Sequence, residues 1–304
     1  MADLTLLIAP IFLIILLGTI LKRYLIADDE VWSGLNKLAY WVLFPCLLFN
    51  KTSMIDFSGI AFGTLTVTVL VGFSFAVTFC YLLGRLAGLS APTITSVIQG
   101  GGRHNTFLAL AIVTQLYGEQ GAMIGAIIIA VLVTFTNLVV NIAMTILLSN
   151  TGSSIGSVLS DLKRNPLIFS ILLGAAFNVM GIGGLPIIHA FTLSVGETTL
   201  TTALLCVGAG LRMRDIGNKI VPCSIALFAK FLVFPLAVYI LARFYELSHV
   251  VMMTAMVFAI SPTGAASYPL AKQMGGDAPL MATLISAQTL ISVITIPLII
   301  FVLN

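Results

Sequence analysis

Residues 10–18 read Pro10-IFLIILL-Gly18, and residues 166–174 read Pro166-LIFSILL-Gly174. The offset from Pro10 to Pro166 is 156 residues, and later landmarks hold nearly the same register. Cys46 and Cys206 lie 160 apart, while Arg85 and Arg243, Gln115 and Gln273, and Glu119 and Asp277 each lie 158 apart. Apolar stretches match one another easily by chance, so no single pair decides anything. A constant register along half a chain does. The sequence therefore predicts two repeats, residues 1–149 and 166–304, joined by a Ser- and Gly-rich linker at 150–165.

The solvent around these repeats follows from composition. Of 304 residues 59% are hydrophobic and only 8% charged, with a mean hydropathy of +1.14. A soluble domain carries roughly a quarter charged residues, so a chain this poor in charge could not cover itself in water. Its solvent must be lipid. The N-terminal apolar run has Asp3 before it and the basic pair Lys22-Arg23 after it, and no small-residue cleavage site follows. That is the pattern of an uncleaved spanning helix rather than a signal peptide. Cys46, Cys80, Cys206 and Cys223 fall inside apolar stretches without metal-ligand spacing and read as small buried hydrophobes. Nothing in the chain suggests a resident cofactor, and no nucleic-acid motif is present.

A spanning helix needs about 20 mostly apolar residues. Breaks at Gly, Pro and charge clusters give ten segments, at approximately 4–21, 35–52, 59–84, 91–117, 121–148, 166–183, 189–211, 220–242, 249–273 and 279–303. With the N-terminus outside, the cytoplasmic joints hold nine basic residues: Lys22, Arg23, Arg85, Lys163, Arg164, Arg212, Arg214, Lys219 and Lys272. The outer joints hold two, Lys51 and Arg243. The positive-inside rule then places both termini outside the inner (plasma) membrane of the cell. Because each half has an odd number of spans, the second half is inverted relative to the first. The expected fold is all-α and transmembrane: ten helices as two inverted five-helix repeats. Inverted repeats recur in secondary transporters, whose sites lie near the midplane at discontinuous helices.

Segments 4 and 9 are repeat-equivalent and both interrupted. Segment 4 carries Gly100-Gly101-Gly102-Arg103-His104-Asn105, and segment 9 carries Ser261-Pro262-Thr263-Gly264 and then Pro269. Gly destabilises a helix and Pro removes a backbone donor, so unwinding is expected at the glycine triplet and at Pro262. Unwound backbone at membrane depth survives only where protein buries it or a watery cavity meets it. Half-helix N-termini facing such a gap would offer N–H groups to an anion. A single kink more often serves helix packing; two symmetric breaks, one holding an arginine, favour a binding site.

Arg103 is the candidate counter-charge for an anionic substrate, with a structural clamp as the equal alternative. His104 is a candidate proton carrier, though such a histidine more often only donates a hydrogen bond. Asn105 and Thr106 can bind a carboxylate without a buried charge, and Ser261, Thr263 and Tyr268 offer hydroxyls. Lys230, inside segment 8, could pair with substrate or with a neighbouring dipole. Lys37 and Glu197 are 160 apart and of opposite sign, which suggests a stabilising pair between segments 2 and 7 or a dimer seam. Asn137, Asn141 and Gln288 are expected as interhelical hydrogen-bond partners.

These residues resemble the auxin efflux carrier family, including its bacterial members and the plant PIN proteins. The likeness runs through Arg103-x-Asn105-Thr106, Leu116-Tyr117-Gly118, Ser261-Pro262-Thr263, Ser267-Tyr268-x-Leu270-Ala271-x-Gln273-x-Gly275-Gly276-Asp277-Ala278 and Leu280-Met281-Ala282. Leu43-Phe44-Pro45 in segment 2 fits as well. The resemblance implies a fold like the bile-acid symporters and sodium/proton antiporters, with a scaffold of helices 1, 2, 6 and 7 that forms a homodimer. It also implies a mobile domain of helices 3–5 and 8–10 with helices 4 and 9 crossing at the site. Asn105 would meet the substrate carboxylate, and small organic anions such as malate or malonate, or auxin-like acids, would be carried by an elevator motion. One departure is that Ala111 and Ile112 stand where family members often place a proline.

Three other readings are weighed on the same residues. A cation antiporter needs carboxylates at the crossover, and Arg103, His104, Asn105, Ser261 and Thr263 include none. A sodium-coupled anion symporter of the bile-acid type remains open, because hydroxyls and unwound carbonyls suit a hard cation; coupling to protons, to sodium or to neither is left undecided. A membrane enzyme would need a nucleophile–base constellation. Besides His104, only His189 and His249 exist, at outer joints, and neither an HExxH motif nor paired intramembrane aspartates occur. A receptor or channel would be separated from a carrier by substrate counterflow.

Overall fold

The computed structural model describes residues 2–54, 62–148, 165–211 and 219–303, with side chains from Leu6 onward. Every regular element among them is helical. In chain order these are α1 (Ala2–Tyr24), α2 (Asp29–Leu38), α3 (Phe44–Ser53), α4 (Phe62–Leu86), α5 (Ala91–Gly102), α6 (Thr106–Leu148) and α7 (Pro166–Val179). They are followed by α8 (Pro186–Ala209), α9 (Ile220–Phe228), α10 (Phe234–Phe244), α11 (His249–Ile260), α12 (Ser267–Met274) and α13 (Ala278–Leu303). Most of the linker, and the basic residues Lys163, Arg164, Arg212 and Arg214, lie outside the described residues.

Six stretches are helical, long and apolar enough to cross a membrane: Leu6–Tyr24, Phe62–Leu86, Ala91–Leu148, Pro186–Ala209, Ile220–Phe244 and Ala278–Leu303. Their outward faces carry large apolar side chains such as Leu13, 61% exposed, and Ile187, 84% exposed. In water such faces would be untenable over so much surface. This is a multi-pass membrane protein.

The ends of these helices are set by short polar residues. Asp28 accepts the Glu30 N–H at 2.8 Å to open α2, Asn165 accepts the Leu167 N–H at 3.0 Å to open α7, and Asp277 accepts the Leu280 N–H at 2.9 Å to open α13. Gly275, at φ 79°, closes α12 in the left-handed conformation that a side chain disfavours. Two π turns, Ala39–Leu43 and Ala229–Val233, join α2 to α3 and α9 to α10. Each precedes a Phe-Pro pair, Phe44-Pro45 or Phe234-Pro235. Proline lacks the N–H and crowds the carbonyl four residues back, and widening the turn relieves both defects without ending the helix.

Two groups of helices emerge. In the first, α1 packs along α8, and α3 packs against α7 and α8. The contact is close because the two glycines of the opening motif permit it. A Cβ on Gly18 would overlap the Leu205 carbonyl, and one on Gly174 would overlap the Thr52 hydroxyl. In the second group, α4 packs on α5 and α10, α5 on α9 and α13, and α6 on α11.

The glycine triplet does not unwind. Gly100, Gly101 and Gly102 are all inside α5, and the chain leaves the helix only at Arg103. Their small size serves packing instead. A Cβ on Gly100 would press on Leu284, one on Gly101 would overlap the Cys80 Sγ, and one on Gly102 would press on Phe73. The second break is where Pro262 is: α11 ends at Ile260 and α12 begins at Ser267. A further interruption lies at Gly118 within α6, at φ 57° and ψ −140°.

Candidate transport site at the helix crossover

Arg103 and Ser261 are the residues that terminate α5 and α11, and both turn extended, at φ −68°, ψ 151° and φ −61°, ψ 136°. The two extended breaks meet. Thr263 Oγ1 donates to the Gly100 carbonyl at 3.0 Å, and the Gln288 side chain from α13 closes the junction from behind. Its Nε2 donates to the same Gly100 carbonyl at 2.8 Å, and its Oε1 accepts the Thr263 N–H at 2.8 Å. Ser261 turns its hydroxyl back on its own helix, to the Val257 carbonyl at 2.8 Å.

On one side of the junction is a cavity of about 510 Å³ between the two helix groups. Its wall runs from the exposed Asp29 and Ser33 at the start of α2 to the crossover. Arg103, His104, Asn105, Thr106 and Tyr268 line it, facing Trp32, Tyr40, Phe44 and Cys206. Of the residues expected at the site from sequence, Ser261, Thr263 and Lys230 are not on this wall.

Two of the lining groups, Arg103 and Asn105, are held by hydrogen bonds. Arg103 donates from Nη2 to Asn137 Oδ1 at 2.7 Å and from Nη1 to Gln99 Oε1 at 3.3 Å. Both acceptors are neutral amides, and among the described residues no carboxylate forms an ion pair with this guanidinium. Asn105 Oδ1 accepts the Leu108 N–H at 3.2 Å and so caps the start of α6, leaving its amide N–H₂ for other partners. The His104 ring lies edge-on to Phe258, with centroids 5.7 Å apart. Among the described residues neither of its nitrogens has a hydrogen-bond partner, nor does the Thr136 hydroxyl on the same wall.

Lys230 lies behind the crossover, in the π turn Ala229–Val233. Its side chain is fully buried, with Nζ 3.4 Å from the Gly102 carbonyl and 5.0 Å from the centre of the Phe234 ring. Among the described residues, Lys37 and Glu197 form no ion pair with each other. Both are exposed on the outside of the first helix group. The α8 face around Glu197 also exposes Ser194, Thr198 and Thr201. Gln99 and Tyr40 were not singled out from sequence, although Gln99, one turn before Arg103, was a readable signal.

The model of the sodium bile acid symporter family matches residues 198–304, about the last third of the chain. An uncharacterized transporter of Methanothermobacter thermautotrophicus is 24% identical over 303 residues, covering 96% of this chain and 95% of that protein. Both are transport proteins by name. The match at 198–304 corrects the resemblance to the auxin efflux carriers, because it covers the Ser261-to-Ala282 run that was the most specific part of that resemblance. The physical reason is visible in the structure. Thr263 ties the crossover, Gly275 closes α12 and Asp277 opens α13. Such residues report a local backbone geometry and recur wherever that geometry does.

Proposed function

We propose that this protein is a secondary transporter of small organic anions, of the bile-acid symporter type. The observation that carries this reading is Arg103. A guanidinium on the wall of a cavity within the membrane, held by Gln99 and Asn137 rather than by a carboxylate, leaves its positive charge for a ligand. The free amide N–H₂ of Asn105 adds donors beside it. Thr106 and Tyr268 complete the polar wall, while Phe44 and Trp32 supply the apolar face an organic anion needs. The family match at 198–304 favours the bile-acid type over the malate or malonate carrier expected from sequence.

In this reading the ten apolar segments form two inverted five-helix repeats, 1–149 and 166–304. Segments 1, 2, 6 and 7 are the scaffold, and the crossover helices with their neighbours are the moving domain. The shared terminations of α5 at Arg103 and α11 at Ser261, 158 residues apart, support the repeat. Both termini lie outside the plasma membrane, and the cavity faces the cytoplasm. The polar α8 face around Glu197 cannot rest against lipid tails, so we place a second copy of the chain over it, with Lys37 of one copy meeting Glu197 of the other.

The test is a thermal-shift screen of the purified protein against small carboxylates, followed by uptake of any hit into proteoliposomes. A ligand that binds only the folded state raises apparent stability by mass action. Stabilisation by organic cations and by no carboxylate would end the anion reading. Sodium symport is the second reading, and the family match is the observation that favours it.

A further inference from the structure

Lys230 is a fully buried lysine that does not line the anion cavity. A charge at this depth persists only with compensation from nearby dipoles or counter-charges. Among the described residues no carboxylate forms an ion pair with it. What faces it is the C-terminal end of α5, where the last carbonyls of a helix concentrate partial negative charge, and the face of the Phe234 ring. The π turn that precedes Pro235 brings it there, packing Ala229 against Gly101 at the same helix end.

A bare alkali cation at the crossover would need several oxygen ligands at once. Three oxygens at the junction are already engaged by the chain itself. The Gly100 carbonyl accepts from Thr263 and Gln288, the Gln288 Oε1 accepts the Thr263 N–H, and the Gly102 carbonyl faces the Lys230 ammonium. We infer that the Lys230 ammonium occupies the cation seat of the crossover, so that this protein moves its anion without sodium. The inference rests on the carrier reading above but not on the identity of the anion. It sets this chain apart from a sodium symporter built on a similar frame, because the monovalent charge beneath the site is covalently tethered.

The probe is sodium alone. The full chain, purified in detergent without any carboxylate, is melted across sodium, potassium and choline chloride at constant ionic strength. Wild type should show no sodium-specific shift, whereas Lys230→Ser, which frees the Gly102 carbonyl and the space beside it, should gain a saturable one. A saturable sodium-specific stabilisation of wild type would overturn the proposal. So would a folded Lys230→Ser that ignores sodium, since the lysine would then be only a packing element. Should Lys230→Ser fail to fold, Lys230→Asn and the wild-type series still decide. Because no carboxylate is present, a failed anion screen leaves this result standing, and the reverse is also true.

Discussion

Thr263 and Gly100 are joined across the two helix breaks by a 3.0 Å hydrogen bond from the Thr263 hydroxyl to the Gly100 carbonyl. The same carbonyl takes the Gln288 amide at 2.8 Å, so one acceptor holds three segments together: α5, α13 and the chain leaving α11. A carbonyl has two lone pairs, and this one uses both.

Loss of either donor should therefore be felt, but unequally. Thr263→Val removes one hydrogen bond and should cost about 1 kcal/mol. Gln288→Leu removes two and strands the Thr263 N–H, at about 2–3 kcal/mol. The double variant should be non-additive, since the pair shares Gly100. Thermal melts of the four proteins check this; strict additivity would mean the three groups are not one network.

The glycine triplet offers a test of packing against unwinding. Gly101→Ala should stiffen α5 yet destabilise the protein, because the new Cβ meets Cys80 Sγ and Ala229. Overpacking of this kind costs roughly 1–3 kcal/mol. Adding Cys80→Ala should restore part of the stability and of the transport. If the glycine were needed for backbone freedom, removing the Cys80 sulfur would rescue nothing.

Asn105 separates capping from recognition. Asn105→Asp keeps the acceptor for the Leu108 N–H but places a negative charge on the anion wall. Fold stability should change little, since Asp caps as well as Asn. Carboxylate binding should weaken by about one to two decades or more. Asn105→Ala should lose both, with the cap worth about 1 kcal/mol. Anion binding by Asn105→Asp at the wild-type level would place the site elsewhere.

Lys37 and Glu197 should couple only between copies. Lys37→Glu or Glu197→Lys alone should weaken the dimer, and the double reversal should recover it. Cross-linking in membranes reads the oligomer directly. Equal dimer content in all four proteins would remove both residues from the seam.

Orientation is checked by labelling. A cysteine at Gly184 should react from outside the cell and one at Ser154 only from inside. The opposite pattern would reverse the topology and, with it, the cytoplasmic face assigned to the cavity.

Much of this molecule was legible in the sequence. Lipid as solvent followed from 8% charge, because the free energy of transferring apolar surface sums over residues and needs no fold to be counted. The break at Pro262 was equally local, since proline's missing N–H and fixed φ act on its own helix. Arg103 as the charge of interest followed from the cost of placing any cation at membrane depth. What only the tertiary structure decided concerns partners. Gly100 to Gly102 read as a helix breaker, yet stay helical because Leu284, Cys80 and Phe73 press where Cβ atoms would be. Lys37 and Glu197 read as a pair within the chain or at a dimer seam, and the fold leaves both exposed. Lys230 could have faced the substrate, but the π turn before Pro235 directs it to the Gly102 carbonyl behind the crossover. Composition and backbone chemistry belong to a residue and its neighbours in the chain. The direction of a side chain, and the group that answers it, exist only once distant segments have packed.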